Sequence, residues 1–132
     1  MNELIESGEE VETPEETPEE TPEETPASKE KHLFRMIEKV GIPVVYHHWE
    51  VGNSPDPPFI VYLFTSSDNL AADNKVYHNV NNYQVELYVD KKDVALEKSI
   101  EAVFDENEVF YEKAEIYIEG QKLYEVQYFI TL

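Results

Sequence analysis

The sequence lacks several residue types on which common kinds of protein chemistry depend. It contains no cysteine and only four glycines, and no apolar stretch approaches the roughly 20 residues of a membrane-spanning helix. Without cysteine there are no disulfides, thiolate nucleophiles or cysteine-ligated zinc sites. The glycines form no phosphate-binding loop, and no serine stands in a GxSxG motif. We therefore predict that the chain is not an enzyme and has no catalytic residue, cofactor or metal site.

Basic residues are also scarce. The 132 residues include 29 Asp and Glu against 10 Lys and Arg, which gives a net charge of −19. Binding to nucleic-acid phosphates or to an anionic membrane surface needs clustered basic side chains, so we expect no specific DNA binding and no membrane partner. The acidic N-terminus is unlike a secretory signal or a transit peptide, and cytoplasmic synthesis is the simple expectation.

Much of the acid lies in an N-terminal repeat. Residues 13–26 read TPEETPEETPEETP, and proline at every fourth position excludes a regular helix interior. The repeat has like charges and no apolar side chain to bury, so residues 1–28 are predicted to be a disordered acidic tail, followed by a single domain over 29–132. Such a tail keeps a protein soluble or docks on a basic partner.

Residues 29–132 carry the periodicities of an α+β domain with elements in the order α-β-β-β-α-β-β. The predicted helices are 28–40, ended by Gly41, and 91–106, capped by Asp90; the predicted strands are 43–50, 59–65, 76–89, 110–118 and 124–132. We expect a mostly antiparallel sheet with two helices on one face.

The third predicted strand is unusually long. Its apolar residues stand at odd positions from Tyr83 onward but at even positions from Val76 to Val80. A change of phase near Asn81 is what a β-bulge produces. We therefore predict one long bent strand over 76–89, whose first half projects from the sheet with the preceding loop as an arm.

Several tyrosines are predicted on outward strand faces. In the last hairpin Phe110 and Ile116 are assigned to one apolar face, which places Tyr111 and Tyr117 outward; Tyr88 is outward on the earlier strand. Exposed aromatic side chains on a sheet favour a protein interface. Ordinary cross-strand pairing with one wet edge is the alternative interpretation.

Histidines and acids give no pattern typical of a reactive site. His47 and His48 adjoin each other on a predicted strand, so their side chains are expected to point to opposite faces and not to share a metal. Glu97, Glu101 and Glu108 are assigned to an exposed helix side or a turn, and not to a pair of catalytic carboxylates in a cleft.

Three stretches of the sequence resemble a family of small proteins from the tail-gene region of long-tailed phages and prophages of Gram-positive bacteria. The stretches are GIPVVYHHWE, PPFIVYLFTSSDNLAADNKVYHNVNNYQVELYVDKKD and YEKAEIYIEGQKLYEVQYFITL. The family resembles the tail terminators. The resemblance implies a self-assembled ring, usually a hexamer, which caps the tail tube protein, provides the joint to the head connector protein and lies in the virion after synthesis in the bacterial host. DNA would pass through an acidic ring without specific binding.

A closed ring needs two different contact patches on each subunit. The predicted arm and the outward tyrosines are the candidates for these patches. The candidate interface residues are Asp68, Asn69, Asp73, Asn74, Lys75, Tyr77, His78, Tyr88 and Tyr117. Two other functions fit the same sequence: a head-closure or connector protein of the same neck region, and a monomeric acidic module that binds a protein.

Overall fold

The computed structural model describes residues 26–72 and 74–132. The helices are α1 (Pro26–Ile37) and α2 (Val94–Glu106); the strands are β1 (Val44–Tyr46), β2 (Phe59–Ser67), β3 (Leu70–Ala72), β4 (Lys75–His78), β5 (Asn81–Val89), β6 (Tyr111–Ile118) and β7 (Leu123–Thr131). The predicted α+β class is confirmed, and the element order agrees with the prediction apart from the third strand. The predicted acidic tail lies outside the described residues except for its last three positions, which belong to α1.

The end of α1 and the start of α2 are each marked by a residue type that favours that position. After α1 a short 3-10 turn, Glu38–Val40, ends at Gly41, whose φ of 92° lies in the left-handed region that glycine adopts most easily. The predicted end of this helix is therefore confirmed. Asp93 caps α2 by accepting a hydrogen bond from the Leu96 N–H at 3.0 Å. The prediction that Asp90 caps this helix was wrong, because the chain makes a further turn before the helix begins.

Five of the seven described strands form one sheet, in the order β1-β2-β5-β7-β6. All neighbouring pairs are antiparallel except β1 and β2, which are parallel. A parallel pair needs a crossover connection, and residues 47–58 provide it. Part of this crossover lies against the sheet, since the Trp49 and Phe59 rings meet edge to face at 6.0 Å.

One face of the sheet is covered by both helices. Along β5 every second residue from Asn81 to Val89 is buried and the residues between are partly exposed. The buried cluster joins Leu33, Met36 and Ile37 of α1, Ile100, Val103 and Phe104 of α2, and Ile60, Tyr83, Val85, Leu87, Val126, Tyr128 and Ile130 of the strands. We call this the helix face; it confirms that both helices pack on one side. The other side, which carries Phe59, Glu86, Tyr88, Ile116, Glu125 and Phe129, is called the open face.

The predicted single strand over 76–89 is two strands in two different sheets. Among the described residues β4 pairs only with β3, in a two-stranded hairpin, and β5 starts after a break at Asn79 and Val80. Side chains bond the backbone there: the Val80 N–H donates to Asn69 Oδ1 at 2.9 Å, and Lys29 Nζ donates to the Asn79 carbonyl at 2.6 Å. The change of apolar phase thus marks a change of sheet. The irregularity in the main sheet lies on β2, between Phe64 and Ser66.

The predicted orientation of β6 was wrong. Tyr111 and Lys113 lie on the helix face, opposite Ile130 and Tyr128 of β7, whereas Phe110 and Ile116 are 78% and 47% exposed. Tyr111 packs against the Phe104 ring of α2 at 5.5 Å. The inward face of this edge strand meets acidic residues of α2, so a lysine faces inward and the apolar residues face outward.

The acids on α2 are buried, contrary to the prediction of an exposed helix side. Glu97 and Glu101 are 1% and 7% exposed. Lys113 Nζ lies 2.8 Å from Glu97 Oε1 and 2.6 Å from Glu101 Oε2, and Lys92 Nζ lies 2.8 Å from Glu97 Oε2. Burial raises the pKa of both carboxyls, but the lysine hydrogen bonds outweigh it, so both pKa values lie below their ordinary range.

A search of the described residues finds no helix with the length and apolar character needed to cross a membrane.

Candidate assembly surface

The hairpin β3–β4, which we call the arm (Leu70–His78), leaves the sheet through a set of short polar side chains. Asn82 Nδ2 donates to Asp68 Oδ2 at 2.7 Å, and the Asp68 N–H donates to the Val80 carbonyl at 2.9 Å. Asn69 Oδ1 accepts from Asn79 Nδ2 at 3.1 Å and also from the Val80 N–H. Asn and Asp suit this position because their short side chains bond nearby backbone groups. These contacts fix the direction in which the arm leaves the sheet.

The arm contains most of the predicted interface residues. Asn74, with a φ of 63°, lies at its turn, and Asn74 and Lys75 are both exposed. Tyr77 and His78 belong to β4, where His78 pairs with Leu70. Asp73 lies outside the described residues. Asp68 and Asn69 bond the base of the arm, so they orient it more than they offer it to a partner.

The two other predicted interface residues lie away from the arm and on different faces. Tyr88 is half-buried on the open face, where it stacks on Phe59 at 5.0 Å and donates from its hydroxyl to Glu86 Oε1 at 2.9 Å. Tyr117 is 49% exposed on the helix face and packs against Tyr124 at 4.9 Å, at the end of the sheet opposite the arm. The predicted residues therefore do not form one patch.

An exposed apolar patch on the open face was missed by the sequence analysis. Phe110, Ile116 and Phe129 are 78%, 47% and 41% exposed. A cleft of about 360 Å³ beside the base of the arm is lined by Thr65, Asn82, Tyr83, Phe110, Glu112, Phe129, Ile130 and Thr131. Phe110 and Ile116 both stand at even positions of the predicted strand, so the sequence indicates that they share one face. The alternation alone does not indicate whether that face is covered or exposed. Phe110 and Phe129, which we call the apolar patch, lie near the base of the arm, whereas Ile116 is further along β6 toward the opposite end of the sheet.

The edge of the sheet beside this patch is unpaired. Within the part of the chain that the structure describes, β6 pairs with β7 alone, so its other side presents backbone N–H and carbonyl groups. Such an edge can pair with a strand of another chain. Glu112 and Lys113 place charges along it, which limits indiscriminate pairing.

A second group of carboxylates lies in the middle of the open face. Gln84 Nε2 donates to Glu86 Oε2 at 2.6 Å, and Gln127 Nε2 donates to Glu125 Oε2 at 2.9 Å. Burial, opposed by the hydrogen bond from Tyr88 and reinforced by the nearby Glu125 carboxylate, raises the pKa of Glu86 to about 7. A carboxyl group with this pKa gains or loses its proton near neutral pH, and the hydrogen-bond partners of Glu86 are the Gln84 amide and the Tyr88 hydroxyl.

The two adjacent histidines are placed differently from the prediction. β1 ends at Tyr46, and His47 has a φ of 70°. The His47 and His48 Nδ1 atoms are consequently 3.0 Å apart, and His48 Nε2 lies 3.9 Å from Glu50 Oε2. The expectation of opposite faces was wrong, because a strand does not continue through His47. Among the described residues no group of three or more His, Cys, Asp or Glu side chains is arranged to hold a metal.

No protein-family model matches the chain, and no curated protein matches it.

Proposed function

We propose that this chain is a structural protein of a phage tail, a ring-forming terminator that caps the tail tube and joins it to the head connector. The observation that carries the proposal is that two unlike surfaces lie at one end of a single sheet. One surface is the arm, and the other is the apolar patch formed by the exposed Phe110 and Phe129. A ring of identical subunits needs such a pair of surfaces, because each subunit meets its two neighbours differently.

In the proposed ring the arm of one subunit lies against the open face of the next. The cleft beside Phe110 and Phe129 is lined by these aromatic side chains and by polar residues that include Thr65, Glu112 and Thr131. Protein interfaces likewise combine aromatic and polar side chains. The contacts of Asp68 and Asn69 hold the arm in a fixed direction, which reduces the entropy lost when the arm binds a neighbour.

The charge of the chain supports a conduit for DNA better than a DNA-binding protein. The net charge is −19; residues 1–28 contribute 11 glutamates, and residues 29–132 still carry 18 acids against 10 bases. Acidic walls in the bore of a ring repel phosphate and allow DNA to pass without being held. The ring would lie in the neck of the virion, between tail tube and head connector.

The test is the assembly state of the purified full chain. We expect rings in negative-stain electron microscopy and a multiple of the monomer mass in light scattering. Replacing the arm, residues 70–78, by a short Gly-Ser linker should leave a folded monomer, since Asp68 and Val80 remain to close the loop. Rings that persist without the arm would contradict the proposed contact. Small particles formed by the unaltered chain would contradict the ring itself.

Two matched substitutions and one mixture sharpen this test. Phe110→Ser should weaken ring formation, whereas Val51→Ser, at an apolar residue fully exposed in the crossover loop, should not.

Rings that cap isolated tail tubes identify a terminator, and rings that bind only the head connector identify a protein of the neighbouring head-closure class. Removal of residues 1–25 should leave ring formation intact; loss of partner binding by a chain that never forms rings would favour the monomeric acidic module.

A further inference from the structure

We propose that His47 and His48 form a two-nitrogen site for a divalent transition-metal ion of the copper(II) or nickel(II) class. The site lies where β1 ends, at the edge of the sheet opposite β6. It is independent of the proposed ring, and its failure would leave that proposal unchanged.

A strained turn brings the two imidazoles together. The His48 N–H donates to the Tyr46 carbonyl at 2.8 Å across His47, whose φ is 70°. An i to i+2 bond around a residue of positive φ is the rare and strained form of the γ-turn. In a continuing strand adjacent side chains would diverge, but here the two Nδ1 atoms are 3.0 Å apart.

The surrounding structure holds His47 in this conformation. The His47 N–H donates to the Tyr62 carbonyl at 2.8 Å, so the position remains bonded to β2. Tyr46 packs edge to face against Tyr62 at 5.1 Å, and its hydroxyl accepts from the Phe64 N–H at 3.3 Å. The neighbouring structure thus maintains a strained backbone at two exposed imidazoles that can bind a metal. Such maintained strain is a reason to look for a function.

A carboxylate lies near the His48 ring. Glu50 Oε2 is 3.9 Å from His48 Nε2, the ring nitrogen that does not contact His47. This distance is too long for a hydrogen bond, but a carboxylate beside the non-ligating nitrogen is the usual outer partner of a metal-binding histidine. To bind one ion, both Nδ1 lone pairs must point at that ion, and each ring must carry its proton on Nε2; both side chains are exposed and so have room for the small rotations that this requires.

The separation of the nitrogens indicates which metals fit. Two nitrogens 3.0 Å apart, each about 2.05 Å from one ion, subtend an angle of about 94° at that ion. Tetragonal copper(II) and square-planar nickel(II) accept ligands at about 90°, whereas tetrahedral zinc(II) needs about 109°. The pair therefore favours copper(II) first and nickel(II) next. Water fills the remaining positions, because the protein contributes only two nitrogens.

The single tryptophan provides a local readout. Trp49 follows His48 directly and is the only tryptophan in the chain. We would titrate the full chain with copper(II), nickel(II) and zinc(II) chloride, follow Trp49 fluorescence, and measure stoichiometry by calorimetry. One copper(II) ion per chain should quench the emission saturably, with zinc(II) at least about tenfold weaker, because its preferred angle is not met. The copper(II) spectrum in electron paramagnetic resonance should show tetragonal geometry with nitrogen ligands.

Two variants locate the site, and a third is the matched control. His48→Gln and His47→Asn should each abolish saturable quenching; asparagine is chosen because it tolerates positive φ better than most residues. His32→Gln, at an exposed histidine of α1, should bind as the unaltered chain does. Far-UV circular dichroism verifies that each variant is folded. Unchanged copper binding in both site variants, or equal affinity for zinc(II), would overturn the proposal.

Discussion

Glutamates on the two faces of the sheet have pKa values shifted in opposite directions. Glu97 and Glu101 on the helix face have pKa values below the ordinary range, whereas the pKa of Glu86 on the open face is raised to about 7. Burial raises the pKa in every case. The difference comes from the partners, because Lys113 reaches both helix-face carboxylates and no lysine reaches Glu86 among the described ion pairs. Burial without a cation therefore leaves the open face able to take up a proton near neutral pH.

The two faces of the sheet differ in whether the charges of these carboxylates are compensated within the subunit. On the helix face charge is compensated within the fold, and the lysine nitrogens close the gap between α2 and β6. On the open face the Glu86 and Glu125 carboxylates are neighbours and are surrounded by amides and by Tyr88. If another subunit covers this face, as we propose, it buries Glu86 further and favours its protonated form. Assembly and proton uptake would then be linked.

The largest expected effect comes from removing the cation on the helix face. Among the ion pairs between described residues, Lys113→Met leaves Glu97 and Glu101 with only the more exposed Lys92 and Lys98 as cationic partners. Removing one partner of a buried ion pair strands the other charge, so we expect a loss of about 3 kcal/mol in the free energy of unfolding. Urea denaturation at pH 7 measures it.

The matched control for this substitution is Lys122→Met. Lys122 is exposed in the turn before β7 and takes part in none of the ion pairs between described residues. Its substitution should change the free energy of unfolding by less than about 0.5 kcal/mol. Equal losses in the two variants would mean that the helix-face network contributes nothing beyond an ordinary surface charge.

A smaller effect, of opposite sign, is expected on the open face. Because the pKa of Glu86 is about 7 in the folded chain and 4.5 is its ordinary value, the folded state holds a proton that the unfolded state has released between these pH values. Its contribution to stability is complete below pH 4.5 and is lost as the pH rises through 7. Glu86→Gln removes this loss, so the variant should be more stable than the unaltered chain at pH 8 by about 1 kcal/mol, a figure reduced for solvent screening.

The pH dependence provides the control for Glu86→Gln. Urea denaturation at pH 8 and pH 4.5 should show the gain at the higher pH and none at the lower one. The helix-face carboxylates act in the other direction: their lowered pKa values give stability that is present above 4.5 and lost as the pH falls through the folded values. A gain that is the same at both pH values would show that packing, and not the charge of Glu86, is responsible.

Local periodicity was sufficient to predict the centre of the sheet and insufficient at its edges. The alternation from Tyr83 to Val89 predicts a strand with one covered face, and the structure agrees because β5 lies between two neighbours and under both helices. The orientation of β6 could not be predicted, since it depends on Lys113 meeting Glu97 and Glu101, acids on α2 that precede it in the chain. A contact between distant residues overrides the local apolar pattern there.

The candidate site was predictable in part for similar reasons. The change of phase near Asn81 correctly indicated that the chain leaves the sheet, and the arm is present. Its separation into another sheet depends on Asn69 and Lys29, whose side chains bond the backbone at the break. The approach of His47 and His48 follows from a single positive φ, which a strand-like sequence does not signal.

The smallest expected effect concerns the hydrogen bond that a tyrosine hydroxyl donates to a glutamate on each face of the sheet. Tyr88 donates to Glu86 at 2.9 Å, and Tyr128 donates to Glu101 at the same distance. Tyr88→Phe removes a bond that stabilises the charged carboxylate, so the pKa of Glu86 should rise further, by up to about 1 unit. Carboxyl-carbon NMR titration of the full chain measures it directly.

Tyr128→Phe is the partner experiment on the helix face. The pKa of Glu101 should also rise, but it should stay low because Lys113 remains 2.6 Å away. A midpoint for Glu101 near neutral pH in this variant would show that the phenol, and not the lysine, separates the two groups. A midpoint that remains acidic, beside a Glu86 midpoint above 7 in Tyr88→Phe, would show that the cation decides the sign of the shift and the hydroxyl only its size.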